Sequence, residues 1–221
     1  MAGGLRYKFN GSTIKFLVGW SADSPSGTIT AITKANPAVV TETAHGKATG
    51  DVVRILGALG MTEVNNKAFA IEKIDANSYR LLDVDARNYG TYTSGGKSDS
   101  ALFSQLCELT GYNRQGGTSP EIAATSICST AQEFEVGLPD YGTTQIDYNF
   151  APVTSSVQAA IQAAYEAGSE FGARVDLPNS GGFMVQIGFV QQTSESAQNG
   201  GLWTGSFTMR NTGPRYDFAA A

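Results

Sequence analysis

The chain has 221 residues and a net charge of −5, with 41% hydrophobic, 10% aromatic and 16% charged residues. This is enough apolar material for one large or two small domains, and too aromatic and too sparsely charged for a disordered chain. No apolar run reaches the roughly 20 residues of a membrane-spanning helix, and 2 cysteines cannot build a disulfide framework.

Taken in order, Leu5, Tyr7 and Phe9 alternate with Arg6 and Lys8, and Asn10-Gly11 reads as a hairpin turn before Ile14, Phe16 and Val18 resume the alternation. A Gly/Ser/Pro-rich loop is expected over 21–27. Residues 29–33, 38–43, 51–56, 68–75 and 78–82 then read as short strands separated by turn signals such as Asn36-Pro37, His45-Gly46 and Asn65-Asn66. Their spacing predicts a small β-barrel or sandwich, and the Gly/Ser segment 93–99 reads as an exit linker. A module between two such loops suggests an insertion into a host domain.

After it, residues 101–110 read as a strand and 111–120 as a polar, Gly-rich loop. Residues 121–129 and 131–138 are further strand candidates, and 145–150 alternates Ile146, Tyr148 and Phe150 with polar residues. The one helix is predicted over 155–167, with Val157, Ala160, Ile161, Ala164 and Tyr165 on one face, a Ser155 or Thr154 cap, and Gly168 as terminator. Residues 174–177 read as a short strand. The stretch 182–210 reads as two half-buried strands joined by a polar loop over 191–201: Phe183, Val185, Ile187 and Phe189 alternate in the first, Trp203, Gly205, Phe207 and Met209 in the second.

Charge is unevenly spread. Residues 27–97 hold 8 basic and 7 acidic side chains, whereas 98–221 hold 4 and 12. The acidic part has no basic patch with which to neutralise phosphates. Enzyme motifs fail on inspection. Gly95-Gly96-Lys97-Ser98 lacks the upstream glycine of a phosphate-binding loop and has no helix after it. The single histidine, His45, cannot build a metal site alone. Cys107 and Cys128 are expected to be reduced, buried small hydrophobes, and their mutual contact is left open. No catalytic group and no cofactor are expected.

Three stretches carry a resemblance: Leu106-Cys107-Glu108-Leu109-Thr110, the region 122–129 with Thr125-Ser126, and Glu133-Phe134-Glu135-Val136-Gly137-Leu138-Pro139-Asp140-Tyr141-Gly142. With the later order of helix, strand, long hairpin and Thr212-Gly213-Pro214, the chain resembles the tail tube proteins of long, non-contractile-tailed bacteriophages (siphophages) over roughly 5–20 and 101–216. Separately, 39–50 with Met61-Thr62-Glu63-Val64-Asn65 and Asp75-Ala76-Asn77-Ser78-Tyr79 resembles a small β-barrel module named after a domain of ubiquitin-activating enzymes and recurrent in phage structural proteins.

The resemblance implies a mainly β fold: a tail-tube β-sandwich or partial barrel with one flanking α-helix over 1–26 and 97–221, interrupted by a small all-β barrel at 27–96. It implies a virion protein, made in the host cytoplasm, whose copies form hexameric rings stacked into the tail tube. The partners implied are the protein itself, the tape-measure protein, the tail terminator and tail tip proteins, and DNA in transient passage, with no membrane. Glu108, Glu133, Glu135 and Asp147 are the candidate lumen-facing acids. Tyr112, Asn113, Arg114, Gln115, Gly116 and Gly117 are the candidate ring-stacking loop, and the inserted module is expected outside. The alternatives are a tail terminator or baseplate hub component, and a carbohydrate-binding or adhesin module.

Overall fold

The computed structural model describes residues 6–21 and 28–220. The expectations for Leu5 and for 22–27 lie outside the described residues. The strands are β1 (Thr13–Trp20), β2 (Ile29–Ile32), β3 (Val39–Glu42), β4 (Val52–Leu59), β5 (Ala68–Lys73), β6 (Ser78–Leu81), β7 (Ser94–Gln105), β8 (Leu109–Gln115), β9 (Glu121–Ala123), β10 (Phe134–Val136), β11 (Thr143–Asn149), β12 (Glu170–Asp176), β13 (Phe183–Ser196), β14 (Thr204–Asn211) and β15 (Tyr216–Phe218); α1 is Ser156–Ala167. The fold is mainly β with one α-helix. All but β9 and β10 join one 13-stranded sheet in the order β2-β3-β6-β5-β4-β7-β1-β12-β13-β14-β11-β8, with β15 on β13.

The host part of this sheet is strongly curled. Neighbouring strands lie about 4.8 Å apart, so three steps along a flat sheet from β1 to β14 would cover about 14 Å. The rings of Phe16 on β1 and Phe207 on β14 are nevertheless 5.5 Å apart, and both meet Phe171 of β12 at 5.9 Å. The sheet therefore wraps this aromatic cluster, and its outer surface points in different directions at β1–β12 and at β14–β11. Helix α1 closes the wrap with Val157, Ile161 and Ala164. Gln158 ties it to the end of β11, donating to the Asn149 carbonyl at 2.9 Å and accepting from the Ala151 amide at 2.8 Å. The helix ends at Gly168, whose left-handed conformation (φ 57°) suits a residue without Cβ. Tyr165, expected on the core face, is exposed, because the face that packs runs through 157, 158, 161 and 164.

A second core gathers inside β2–β6, around Val40, Ile55, Met61, Ile71, Tyr79 and Leu81. The Gly/Ser exit linker expected at 93–99 is instead the first half of β7. Residues 94–100 pair with β4 and residues 101–105 with β1. Its glycines serve a close approach of backbones: Gly95 and Gly96 have φ of 75° and 92°, and a Cβ on Gly96 would stand 3.2 Å from the Ala58 backbone.

The two parts are also packed together. Val52 and Ala70 of the module bury against Val185 and Ile187 of β13, with Trp20, Phe183, Tyr216 and Phe218 around them. Arg54 lies over the Trp20 ring at 4.8 Å and bonds Asp99 at 3.1 Å, and the Glu170 carboxylate accepts the Ala68 amide. This covering makes the first half of β13 buried on both faces, where period-two alternation predicts a half-buried strand. Residues 191–196, expected in a loop, extend β13. At the N-terminus the expected hairpin does not form: residues 6–8 are not strand, and a turn at 9–12 closes through Ser12 N–H to Phe9 O at 3.0 Å.

Candidate assembly surfaces

Alternation on β8, β11, β14 and the second half of β13 sends one set of side chains into the core and the other outward. The inward set includes Tyr112, Ile146, Tyr148, Phe207, Met209 and Val190. In the outward set Asp147 stands between Gly111 and Ser206, Gln145 between Asn113 and Thr208, and Asn149 beside Thr204. The pattern continues across to β13, where Gln192, Ser194 and Ser196 face Thr208, Ser206 and Thr204. The result is a four-stranded face of hydroxyls and amides. Its charges are Asp147 and Arg210, and Arg210 is engaged by Asp140 at 2.8 Å. A shallow cavity of about 310 Å³ lies on it, lined by Thr110, Asp147, Ser194, Ser196, Thr204 and Ser206 among others. Such a surface can exchange hydrogen bonds with water or a polymer but offers little charge to hold either. β8 ends the sheet, leaving the outer edge of the face open.

Between β8 and β11 the chain leaves the body as an arm. Its β9–β10 hairpin pairs Phe134 with Ala123, Glu135 with Ile122 and Val136 with Glu121. Every residue of both strands is exposed. By alternation, Phe134, Val136 and Leu138 form one stripe, 56%, 79% and 89% exposed, and Glu133 and Glu135 take the opposite face. The base is pinned by Asp140 N–H to Thr118 O at 2.8 Å, Gly137 N–H to Pro120 O at 2.7 Å, and the Asp140–Arg210 pair. The Asp140 carboxyl is held below its ordinary value by the Gly142 amide and then by Arg210.

The four acids singled out from the sequence are not brought together. Asp147 is on the hydroxyl and amide face. Glu133 and Glu135 share a side, as alternation predicts, but on the arm, where Glu133 accepts from Ser129 Oγ at 3.0 Å. Glu108 sits in the turn before β8 and accepts from Ser155 Oγ at 3.4 Å, beside the start of α1. The expected stacking loop is largely strand: Tyr112, Asn113, Arg114 and Gln115 belong to β8, and only Gly116 and Gly117 begin the arm. Tyr112 packs against the host core and donates to Gln186 Oε1 at 3.1 Å, so it is an anchor. Cys107 and Cys128 are both exposed, against the expectation of burial. Each sits in a turn, at the start of β8 and at the tip of the arm.

The module holds a buried polar network that the sequence reading missed. The Glu42 carboxylate accepts from Lys47 Nζ at 3.1 Å, Tyr79 OH at 3.1 Å and Ser98 Oγ at 2.6 Å. Burial first, and then the Glu42 charge, push the Tyr79 hydroxyl far above its ordinary range. His45 accepts the Lys47 amide on Nδ1 and bonds the Asp75 carbonyl from Nε2, each at 3.0 Å, which fixes the neutral Nε2–H tautomer. The signal was present: Glu42 falls in the same strand phase as buried Val40. Among the described residues no three His, Cys, Asp or Glu side chains gather as a metal site.

Residues 35–100 match the sequence family of the ubiquitin-activating enzyme E1 FCCH domain. The match starts within the β2–β3 turn and ends inside β7, so it covers most of the module and the strand that joins it to the host. A solved structure described as the tail of an empty GTA particle with C6 symmetry is similar at a TM-score of 0.43 and 13% identity, covering 53% of this chain and 87% of that one. No curated protein matches the chain.

Proposed function

We propose that this chain is a structural, non-enzymatic subunit of a virion tail tube. Copies form rings, taken as hexameric from the family resemblance, and rings stack into a tube whose lumen conducts DNA after release of a tape-measure protein. The observation that carries this reading is the hydroxyl and amide face of β8, β11, β14 and β13. It is a wide outward sheet surface with an open edge and almost no charge, backed by the aromatic core. Ring closure would satisfy the edge strand with a neighbouring copy.

Turned inward, this face would line a channel past which a polyanion slides, because retention of nucleic acid requires cations that neutralise phosphates. Asp147 adds repulsion there, while Glu108, Glu133 and Glu135 belong to the ends and the arm in this arrangement. The curl of the sheet turns β1, β12 and the first half of β13 away from that face. The module covering them would therefore stand on the tube exterior, as a body packed on the wall. Residues 1–26 with 97–221, and 27–96, remain the division proposed for host and module, with β7 running through the boundary. Tail terminator and tail tip proteins are the expected partners at the two tube ends.

Negative-stain electron microscopy of the purified chain over a concentration series tests the reading. Hollow, striated tubes of uniform width with external knobs are expected. Single rings that never stack would point to a terminator or hub, and monomers at every concentration would remove the tube reading.

A further inference from the structure

The cavity of about 310 Å³ on the hydroxyl and amide face holds one carboxylate, Asp147, with Thr110, Ser194, Ser196, Thr204 and Ser206 around it. Other surface carboxylates have cations: Asp140 has Arg210, Asp176 has Lys15 and Arg174, and Asp217 has Arg215. Among the described residues Asp147 pairs with no Lys, Arg or His. Its two oxygens are placed differently. Oδ1 accepts from Gln145 Nε2 at 3.3 Å. Oδ2 lies across β8 at Gly111, where a Cβ would stand 2.8 Å from it. Gly111 is not among the glycines with positive φ, so its backbone does not require glycine. What the missing side chain provides is room for that carboxylate oxygen.

The groups around Asp147 add further acceptors. Ser194 and Ser206 share a hydrogen bond at 2.8 Å, and Thr204 Oγ1 donates to the Ser196 carbonyl at 3.3 Å. Hydroxyls whose protons are engaged in this way still present oxygen lone pairs. The cavity therefore offers one charged oxygen beside several neutral ones.

We propose that this notch seats a primary alkylammonium group. The acceptor set selects that cation. An ammonium is a compact charge with three donors, which one carboxylate oxygen and neighbouring hydroxyls can take up. A guanidinium pairs best with both oxygens of a carboxylate, and Gln145 holds one of them. A hard divalent ion takes more oxygen ligands than one carboxylate and a few hydroxyls supply. The ammonium comes from a lysine of a bound polypeptide or from a free polyamine. One seat is weak, because a single exposed ion pair contributes little, so occupancy depends on linked ammonium groups meeting several copies. The seat belongs to the subunit and does not require the tube. On the tube reading it faces the lumen, and filling it cancels a charge that Arg210 does not offset.

Equilibrium dialysis of the full chain at fixed ionic strength tests this, with spermidine and an acetylated, amidated tri-lysine peptide as probes of equal charge. Asp147→Asn is expected to weaken binding about threefold to fivefold. Gly111→Ala keeps the net charge but displaces Oδ2, and should weaken binding in the same direction. Glu166→Gln removes an exposed carboxylate on the helix and should leave binding unchanged. Unchanged thermal melts confirm that the variants fold. Equal losses in Asp147→Asn and Glu166→Gln would reduce the effect to net charge and overturn the proposal, as would binding untouched by Gly111→Ala or no saturable binding by the wild type. Tighter binding of the peptide assigns the seat to a lysine side chain, and tighter binding of spermidine assigns it to a free polyamine. Selective binding by a chain that never forms tubes would remove the tube reading and leave the seat in place; tubes without selective binding would do the reverse.

Discussion

Phe207 touches both Phe16 and Phe171, so a single side chain holds three strands that are not all neighbours in the sheet. Replacing it by alanine opens a cavity at the centre of the wrap. Phe207→Ala should cost about 3–5 kcal/mol in denaturant unfolding. Glu170 acts at the same scale but through charge. Burial, opposed by the Ala68 amide and Lys67, holds its carboxyl above the ordinary value of 4.5. The folded chain therefore binds this proton more tightly than the unfolded one. Stability from this group is complete below pH 4.5 and is lost as pH rises through the raised value. Glu170→Gln keeps a neutral acceptor for the Ala68 amide, so the wild type should lose stability relative to the variant as pH rises above 4.5. Thermal melts of both proteins across that range check it.

β7 is the element on which the architecture turns, because one continuous strand pairs with β4 in the module and β1 in the host. Two cores sharing a strand and the Val52–Ala70–Val185–Ile187 contact cannot open independently without exposing that contact. The described chain should accordingly melt in one transition by calorimetry. Amides of β7 bonded to β4 and to β1 should exchange at the global rate on both sides of Ser100. The arm is the counter-case: its backbone is exposed and its hairpin lacks a core, so its amides should exchange fast in the free subunit. They should slow once assemblies form.

At the scale of the whole molecule, the near-neutral face and the proposed lumen stand or fall together. Asn113, Gln145 and Gln192 all point out of that face, on β8, β11 and β13. Lysine at the three positions adds cations to a face whose Arg210 is already engaged by Asp140. Tubes of the triple variant should retain DNA in their interior and release it with salt. The salt slope should fall by roughly 0.9 in log K for each phosphate neutralised. Wild-type tubes should show no such retention, and equal retention by wild type would mean that the face does not line the channel.

The sequence by itself determined the local elements. Strands β2 to β6, helix α1 and the core phases of β11 and β14 follow from alternation, 3.6-residue spacing and turn residues, which are short-range and survive in any context. Glu133 and Glu135 were placed on one side for the same reason. Tertiary structure decided what each element faces. The glycines at 95 and 96 look like a linker until β4 lies beside them, and β13 looks half-buried until the module covers its second face. Cys107 and Cys128 occupy turns that only the assembled sheet defines, and β8 reads as a loop because its polar face is an open surface with few apolar residues to mark it. Pairing partners and coverage come from contacts between residues distant along the chain. Alternation says that a side chain turns out of a strand, but only the packed sheet says what lies there.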